Sequence, residues 1–522
     1  MGALAVARLA LVAAAATAVV DGNDRGPAPS IVELSGRWVS LSENVSSRAA
    51  LGRDARALPV INNFLGAVGV APSVVGAPGG ERPVDLFAIN ALELPPFAGC
   101  GASAIGAGAP FGCGRMLVDG AQVLAQGTKW AAHEARRRSA PLHGSGVVVE
   151  SATRMPFEQH GVMWQISFTA PATTAATVKV IFELSAMVSR HSIGGWGWHA
   201  DNAPSGFHTV SVSANGTHRG ATVCGVGSSG SLSRPACSRY QFAGAMQPDT
   251  VVVNPRANRS IPTARFGALK IPKGQTVTLQ ITLALGVNAN AATATGQRFG
   301  GTAPIFAAAW QAAHDAWEAR WQQAFTPANA YWSGNLPTLE FGDADMNGGG
   351  ASTPEAMYGA GVARVYYMSA LTVISQMRTN LPVFKRAFPN GNGNVFGTYG
   401  RGTTMAIGGT ASWFWDESMA SVLLSLLEPH GRAPTLQAWL RVNKMPNREF
   451  GYGPGNAYDT MNLTAKMFHQ KPASGKYGFY SECLSHTVSS VCGRMNGRDR
   501  CFILCKMKMT PRLNFLCSIA TA

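Results

Sequence analysis

The chain has 522 residues, of which 46% are hydrophobic and 14% are charged, with 59 glycines and 30 prolines. This apolar share supports a large buried core and excludes wholesale disorder, and the length is that of two or three domains. The formal net charge is +15, but residues 483–522 hold six basic residues and one acid, and so supply five of these charges. No nucleic-acid-binding motif is present, and we predict no nucleic-acid partner.

An apolar run at the start of the chain predicts a secretory signal peptide over residues 1–20. The run LALVAAAATAVV follows Arg8, the only early charge, and precedes the polar DGNDRG. It is too short to span a bilayer as a helix. A signal anchor is the alternative. No later segment has the length and hydropathy of a transmembrane helix, so we expect a secreted protein or one in the lumen of the secretory pathway.

Glycosylation sequons and cysteine spacing agree with export. The sequons have their asparagines at Asn44, Asn215, Asn258 and Asn462. Two cysteine pairs bracket short glycine-rich loops, and the members of these pairs are Cys100 with Cys113 and Cys224 with Cys237. We expect each pair to form a disulfide in an oxidising compartment, with four free thiols as the alternative.

Hydropathy predicts an antiparallel β-sandwich over residues 31–295. The segments HGVMWQISFTAP, ATVKVIFEL and QTVTLQITLAL alternate apolar and polar residues with a period of two. This pattern is typical of strands that bury one face, and glycine- and proline-rich loops separate the segments. The predicted fold class is therefore multidomain, with an N-terminal antiparallel β-sandwich that precedes helices.

The period then changes to that of a helix. Residues 303–335 carry an apolar stripe, which predicts a helical linker: Phe306, Trp310, Ala313, Trp317, Trp321 and Phe325. Packing in a helix core is the favoured role for these tryptophans, and a sugar platform is the alternative. Helical patterns continue in STPEAMYGAGVARVYYMSALTVISQMRTNLP and in DESMASVLLSLLEP, so residues 339–482 are predicted to form a second, helical domain.

The stretch GGTASWFWDESMASVLLSLLEP carries the most specific chemical signal. Asp416 begins a buried helix directly after Trp413, Phe414 and Trp415. Aromatic rings bind the C–H face of a sugar, and an apolar environment favours the protonated carboxyl that a general acid needs. An ordinary N-cap aspartate is the alternative interpretation.

This stretch resembles the motif of glycoside hydrolase family 63, in the six-hairpin glycosidase superfamily, in which a tryptophan and an aspartate open a toroid helix. LLSLLEP and YYMSALTVISQMRTN also look like these enzymes, and the match covers about residues 366–439. The resemblance implies a partial (α/α)6 toroid after the sandwich and inverting hydrolysis of an α-linked O-glycosidic bond. It also implies that Asp416 is the general acid and that Trp413, Trp415 and Glu417 line the sugar subsite.

Three further residues are candidates for substrate contacts: Arg378, Tyr399 and Arg401. The expected ligand is an oligosaccharide or glycoside. No cofactor is predicted, and no metal either, because His199, Asp201 and His208 have a nonstandard spacing for ligands. The alternative functions are another toroid carbohydrate enzyme, such as a phosphorylase, a trehalase-like hydrolase or a polysaccharide lyase, and a secreted carbohydrate-binding protein without catalysis.

The chain is expected to be a C-terminally truncated enzyme. Twelve toroid helices need on the order of 200 residues, more than residues 339–482 provide. Inverting enzymes take a second carboxylate, the base, from a late helix, and we find no counterpart. The segment 483–522 holds five of the nine cysteines and is basic. It reads as an aberrant sequence after a lost splice junction, and a native cysteine-rich tail is the alternative.

Overall fold

The computed structural model describes the following residues: 28–34, 39–40, 61–70, 73–74, 82–83, 85–89, 91–94, 97–99, 114–184, 188–191, 209–215, 218–225, 233–234, 236–256, 259–339, 354–375, 423, 425–429, 490–495, 498–503, 505–506 and 516–517. The predicted signal peptide lies outside them. Among the described helices, none combines the length and hydropathy needed to cross a membrane.

Strands dominate this part of the chain. In chain order they are β1 (Val39–Ser40), β2 (Ile61–Asn62), β3 (Ala67–Gly69), β4 (Ser73–Val74), β5 (Arg82–Pro83), β6 (Ala91–Leu94), β7 (Phe97–Gly99), β8 (Arg115–Val118), β9 (Ala121–Gln122), β10 (Gly127–Ala131), β11 (Glu134–Arg138), β12 (Val148–Arg154), β13 (Gly161–Thr169), β14 (Ala176–Glu183), β15 (Val188–His191), β16 (Thr209–Asn215), β17 (His218–Gly225), β18 (Ser233–Arg234), β19 (Ala236–Phe242), β20 (Thr250–Arg256), β21 (Arg259–Ile271), β22 (Thr276–Gly286), β23 (Ser490–Met495), β24 (Arg498–Ile503), β25 (Cys505–Lys506) and β26 (Leu516–Cys517). The helices are α1 (Ala289–Gly300), α2 (Ala303–Gln323) and α3 (Pro354–Ser375).

Three larger antiparallel sheets contain most of these strands. The nine-stranded sheet has the order β1-β10-β11-β12-β13-β22-β19-β17-β16, the five-stranded sheet β20-β21-β14-β8-β9, and the six-stranded sheet β18-β15-β7-β6-β3-β2. In the predicted tail, β23 pairs with β24 and β25 with β26.

The three alternating segments of the sequence are strands β13, β14 and β22, as predicted. In β13, Trp164, Ile166 and Phe168 are buried, while the residues between them are partly exposed. Strands β13 and β22 pair along their length, with Trp164 opposite Ile281. The period of two therefore identified both the strands and the face of each that enters the core.

The nine-stranded and five-stranded sheets pack face to face through aromatic rings. The ring centroid of Phe182 on β14 lies 5.9 Å from that of Phe242 on β19, and Phe242 lies 5.5 Å from Phe266 on β21. The ring of Phe87 lies between the layers, 5.0 Å from both Trp164 and Phe182. Offset and edge-to-face rings at these separations add to the stabilisation from burial.

Helices α1 and α2 cover the other face of the nine-stranded sheet. Met163 and Ala284 of the sheet pack there against Phe299, Phe306 and Trp310 of the helices. A Cβ on Gly161 would lie 2.2 Å from the Phe299 ring, so this close approach of α1 to β13 requires glycine. Where α1 and α2 cover it, the sheet is thus buried on both faces, as the middle of three layers.

The β region ends earlier than predicted. Strand β22 stops at Gly286, and α1 begins at Ala289, inside the predicted sandwich range of 31–295. The Asn288 side chain causes this change, because it caps the helix by accepting a hydrogen bond from the Ala291 amide at 2.8 Å. A second cap follows at Thr302, whose hydroxyl accepts from the Ile305 amide at 3.4 Å.

The predicted apolar stripe of the linker is the buried face of α2, and its tryptophans are core residues. Trp317 and Trp321 are 1% and 0% exposed. The Trp317 indole donates a hydrogen bond to the Asn62 carbonyl at 2.7 Å, and the Trp321 indole donates to the Pro29 carbonyl at 2.6 Å. Because both indoles are enclosed and satisfied, neither offers a face to a sugar.

One of the two expected disulfides lies in the described part. A bond of 2.01 Å joins Cys224 to Cys237, which are directly opposite each other on β17 and β19. Cys100 and Cys113 lie outside the described residues, and their pairing stays a prediction.

We predict that Trp317→Ala lowers the free energy of unfolding by about 3–5 kcal/mol, because it leaves a cavity where α2 contacts the β region and leaves the Asn62 carbonyl without this donor. Equilibrium unfolding in urea measures the change. The control is Gln311→Ala on the exposed side of the same helix, with an expected change of about 0.5 kcal/mol or less. Equal effects of the two substitutions would show that the stripe does not hold the helix in place.

Candidate functional site

The residues predicted to act on substrate lie outside the described residues: Asp416, Trp413, Trp415, Glu417, Arg378, Tyr399 and Arg401. The same holds for Asn44, Asn258 and Asn462 of the sequons, whereas Asn215 is the last residue of β16. The structure therefore bears on the candidate site through the elements that flank it in sequence, which are α3 before it and residues 425–429 after Asp416.

Helix α3, predicted as the first helix of the toroid, is present at Pro354–Ser375 and docks against the end of α2. The Tyr367 ring lies 5.4 Å from Phe325 and 6.3 Å from Trp321. The Tyr367 hydroxyl accepts from the Leu339 amide at 2.9 Å, and the Tyr366 hydroxyl donates to the Pro337 carbonyl at 2.7 Å. Two adjacent tyrosines thus attach α3 to the segment around Pro337 and Leu339, which precedes the helix in sequence.

A turn of the β region holds the C-terminal end of α3. The Asn62 side-chain amide donates to the Ser375 carbonyl at 2.6 Å, and its oxygen accepts from the Phe64 amide at 2.9 Å. Phe64 has a φ of 66°, a conformation that costs free energy in a residue with a side chain. Its ring contacts Trp317 at 4.9 Å, and the Arg320 guanidinium lies 4.4 Å from the ring centroid.

Residues 425–429, in the helix predicted to begin at Asp416, dock on the loop that follows α2. The Glu428 carboxylate accepts from the Ser333 amide at 3.1 Å and also from the Ser333 hydroxyl. The Gly334 amide donates to the Leu427 carbonyl at 3.1 Å, and Leu427 is fully buried. A Cβ at Gly334 would lie 2.1 Å from the Leu426 carbonyl oxygen, so only glycine allows this approach.

A cluster of charges fastens α2 to the nine-stranded sheet. Glu134 on β11 pairs with Arg136 and, at 2.7 Å, with Arg154 on β12. Arg154 also donates to the Trp310 carbonyl at 2.6 Å and lies 4.5 Å from that ring. Burial favours protonation of Glu134, but Arg154 and Arg136 outweigh it and hold its pKa below the ordinary value. This cluster satisfies its own charges and is structural.

His133, next to this cluster, is not a candidate acid or base. Burial lowers the pKa of its imidazole to about 3, and the Arg154 cation acts in the same direction. The ring therefore stays neutral at physiological pH, in edge contact with His314 at 4.8 Å. Within the described ranges, no three His, Cys, Asp or Glu side chains are arranged to hold a metal ion.

Asp85 and Arg137 are buried between the sheets, and sequence reasoning missed both. The Asp85 carboxylate accepts from the Phe87 amide at 2.8 Å, the Met116 amide at 2.9 Å and the Gln122 side chain at 3.1 Å. Arg137 donates to the Asp85 carbonyl at 3.1 Å. The sequence does contain a signal for Arg137. In the segment EARRR of β11, Arg137 comes two residues after the buried Ala135, so both side chains lie on the same face of the strand.

Burial dominates the ionisation of both groups. It raises the pKa of the Asp85 carboxyl from 3.8 to about 7, against the opposing effect of the hydrogen bonds from Phe87, Met116 and Gln122. It also lowers the pKa of the Arg137 guanidinium to about 10, which leaves the side chain charged at physiological pH. The interior between the sheets thus holds the charged Arg137 guanidinium together with the Asp85 carboxyl, which is only partly ionised at neutral pH.

Comparison with known proteins gives no family assignment. No protein-family model and no curated protein matches the chain. A solved structure from the human microbiome, described as a kojibiose phosphorylase, is 10% identical with a TM-score of 0.43, over 76% of this chain and 48% of that chain. One from Klebsiella pneumoniae, described as an aldose 1-epimerase, is 9% identical with a TM-score of 0.21, over 36% of this chain and 65% of that chain.

A further similar structure is a family GH92 α-mannosidase from Bacteroides thetaiotaomicron, which is 11% identical with a TM-score of 0.30, over 53% of this chain and 37% of that chain. The chain thus spans about half the length of the kojibiose phosphorylase and less than two thirds of each of the other two proteins. Likeness at TM-scores this low carries no argument about function.

We predict that Asp85 makes stability depend on pH. The folded state keeps the proton up to about pH 7, whereas the unfolded chain loses it near pH 4, so stability falls by up to about 1.4 kcal/mol per pH unit between these values. Asp85→Asn should remove this slope, as measured by urea unfolding at pH 4.5, 5.5 and 6.5. Gln122→Ala removes a partner but keeps the carboxyl, and should retain the slope. An unchanged slope in Asp85→Asn would contradict the assignment.

Proposed function

We propose that the chain is a carbohydrate-active enzyme that hydrolyses α-linked O-glycosidic bonds with inversion, as the resemblance to glycoside hydrolase family 63 implies. The observation that supports it most is the docking of Glu428 and Leu427 on Ser333 and Gly334. This contact holds the end of the helix predicted to begin at Asp416 next to the linker that joins it to the β layers. The order of β layers followed by helices α2 and α3 agrees with the order of sandwich, linker and toroid that the resemblance implies.

In this proposal Asp416 protonates the leaving glycosidic oxygen. A helix from Asp416 to Leu427 would be about 17 Å long, so the acid would lie one helix length from the docked end. The neighbouring Trp413 and Trp415 supply apolar faces for the sugar ring and favour the protonated carboxyl. Glu417 accepts hydrogen bonds from sugar hydroxyls.

The proposed reaction also needs a second carboxylate, the base, to activate water on the opposite face of the sugar, and the sequence of this chain shows no counterpart for it. Inverting enzymes separate the two carboxyl groups by about 6.5–9.5 Å to leave room for that water. Arg378, which lies just after the docked end of α3, and Tyr399 and Arg401 in the glycine-rich segment, are proposed contacts to substrate hydroxyls. Phosphorolysis would use the same acid with phosphate in place of water, and the products distinguish the two reactions.

We predict that Asp416→Asn lowers turnover of an α-linked oligosaccharide at least 100-fold and changes its Kd less than three-fold, because the amide keeps the shape of the side chain and cannot donate the proton. Sugar release followed by NMR measures turnover and reports the anomer first formed, and calorimetry measures binding. The 522-residue chain and a C-terminally extended form that supplies more toroid helices are assayed together.

Asp315→Asn is the matched control, because this aspartate lies on the outer side of α2 and is exposed, and its turnover should equal that of the wild type. Activity of Asp416→Asn within a few-fold of the wild type would refute its role as the acid. Binding without turnover in both chain lengths would instead identify a carbohydrate-binding protein.

We also propose that the chain is exported, with the disulfide between Cys224 and Cys237 as the structural support, because structural disulfides form in oxidising compartments. In a secreting eukaryotic cell, we predict a product that lacks residues 1–20 and carries glycan on at least one sequon. Peptide mapping under non-reducing conditions should find Cys224 joined to Cys237. An intact Met1 with both thiols alkylatable would contradict export.

A further inference from the structure

A polar patch lies on the inner face of the nine-stranded sheet, where apolar side chains are the rule. In one row across the strands, Thr128, Arg137 and Ser151 are directly opposite one another, and Ser151 is opposite Ile166. In the next row the order is Trp130, Ala135, Thr153 and Trp164. This face looks toward Phe87, whose ring contacts Trp164 at 5.0 Å, so the patch lies between the two sheets.

The patch is buried, and six of its side-chain polar atoms are unsatisfied. Arg137, Ser151 and Thr153 are 0% exposed, and Trp164 is 1% exposed. Among the described residues, no hydrogen-bond partner is present for Nε and Nη2 of Arg137, the hydroxyls of Ser151 and Thr153, or the indole N–H groups of Trp130 and Trp164. Each such group costs free energy unless something inside the protein binds it.

The chemistry of these groups selects the kind of partner. Four of the six atoms belong to guanidinium or indole N–H groups, which only donate, and the two hydroxyls can also donate. A buried water makes about three hydrogen bonds and must donate some of them, and this patch offers it few acceptors. An anion accepts hydrogen bonds from N–H and O–H groups alike, so the excess of donors favours an anion.

The local charge favours the same partner. The Arg137 guanidinium contacts the backbone carbonyl of Asp85, whereas the Asp85 carboxylate is bound by Phe87, Met116 and Gln122. No carboxylate within the described ranges forms an ion pair with Arg137 at 4 Å or less, and the longer-range attraction of Asp85 does not outweigh the burial that lowers the pKa of the guanidinium. Ala135 lies between Trp130 and Thr153 in the register of the patch and has only a methyl side chain.

We propose that Arg137, Ser151, Thr153 and the indole of Trp164 bind a small monovalent anion of the size of chloride inside the β-sandwich. The ion compensates the buried cation and satisfies the donors of β11, β12 and β13 together. It is a structural ligand of the β region, remote in sequence from the proposed catalytic residues, and its presence does not depend on the proposed function.

Crystals of the full chain soaked in sodium bromide test the site directly. We expect an anomalous bromide peak within hydrogen-bonding distance of the Arg137 guanidinium. In solution, replacing gluconate by chloride at constant ionic strength and pH should raise the thermal unfolding midpoint saturably, by roughly 2–4 °C. Bromide should substitute for chloride, and sulfate should not, because a dianion is costlier to desolvate.

Arg137→Met should abolish this dependence on chloride, and Ser151→Ala should weaken it. Arg138→Met, which removes the same charge from the exposed neighbouring position on β11, is the control and should keep the full dependence. If Arg137→Met does not fold, the bromide soak and Ser151→Ala decide. Crystals without an anomalous peak at Arg137, or equal midpoints of the wild type in gluconate and chloride, would overturn the proposal.

Discussion

Most of the described architecture depends on the hydrogen bond and packing between Trp317 and the Asn62–Phe64 turn. The indole donates to the Asn62 carbonyl, and the side-chain amide of the same asparagine donates to the end of α3 at Ser375. One residue of the β region therefore binds both the linker helix and the first predicted toroid helix. Burial of Phe64 against Trp317 and Arg320 offsets the cost of its left-handed backbone.

Helix α2 can serve as this junction because its two halves enter different cores. Phe306 and Trp310 pack with α1 on the outer face of the nine-stranded sheet, whereas Trp317 and Trp321 pack with the core that contains Tyr367. A single apolar stripe at helical spacing thus joins the sandwich to helix α3. Docking of Glu428 on Ser333 adds a second attachment just beyond the same helix.

The periodicity of the sequence predicted several strands and the buried face of α2, but it did not predict the buried charged residues. Strands β13, β14 and β22 and the stripe of α2 follow from spacing alone, because burial on one face imposes a period. The end of the β region was misplaced by several residues, since a cap such as Asn288 is a local signal that resembles a loop. Glu134, Arg137 and Asp85 were missed because buried charges are set by partners distant in sequence. The catalytic assignment rests on the residues around Asp416, which lie outside the described part.

The pairing at the centre of the nine-stranded sheet governs how the chain can fold. Strands β10 to β13 are successive neighbours, but β13 then pairs with β22, and Ser167 contacts Thr278 at a sequence separation of 111 residues. During synthesis the ribosome releases strands β10–β13 long before β22 exists. In that interval the backbone N–H and C=O groups on the β22 edge of β13 have no strand to pair with. Until β22 emerges, that edge is a template for pairing with other nascent chains. The β region therefore completes its core only near the end of its own translation, and transient cover by a chaperone during that interval would protect it.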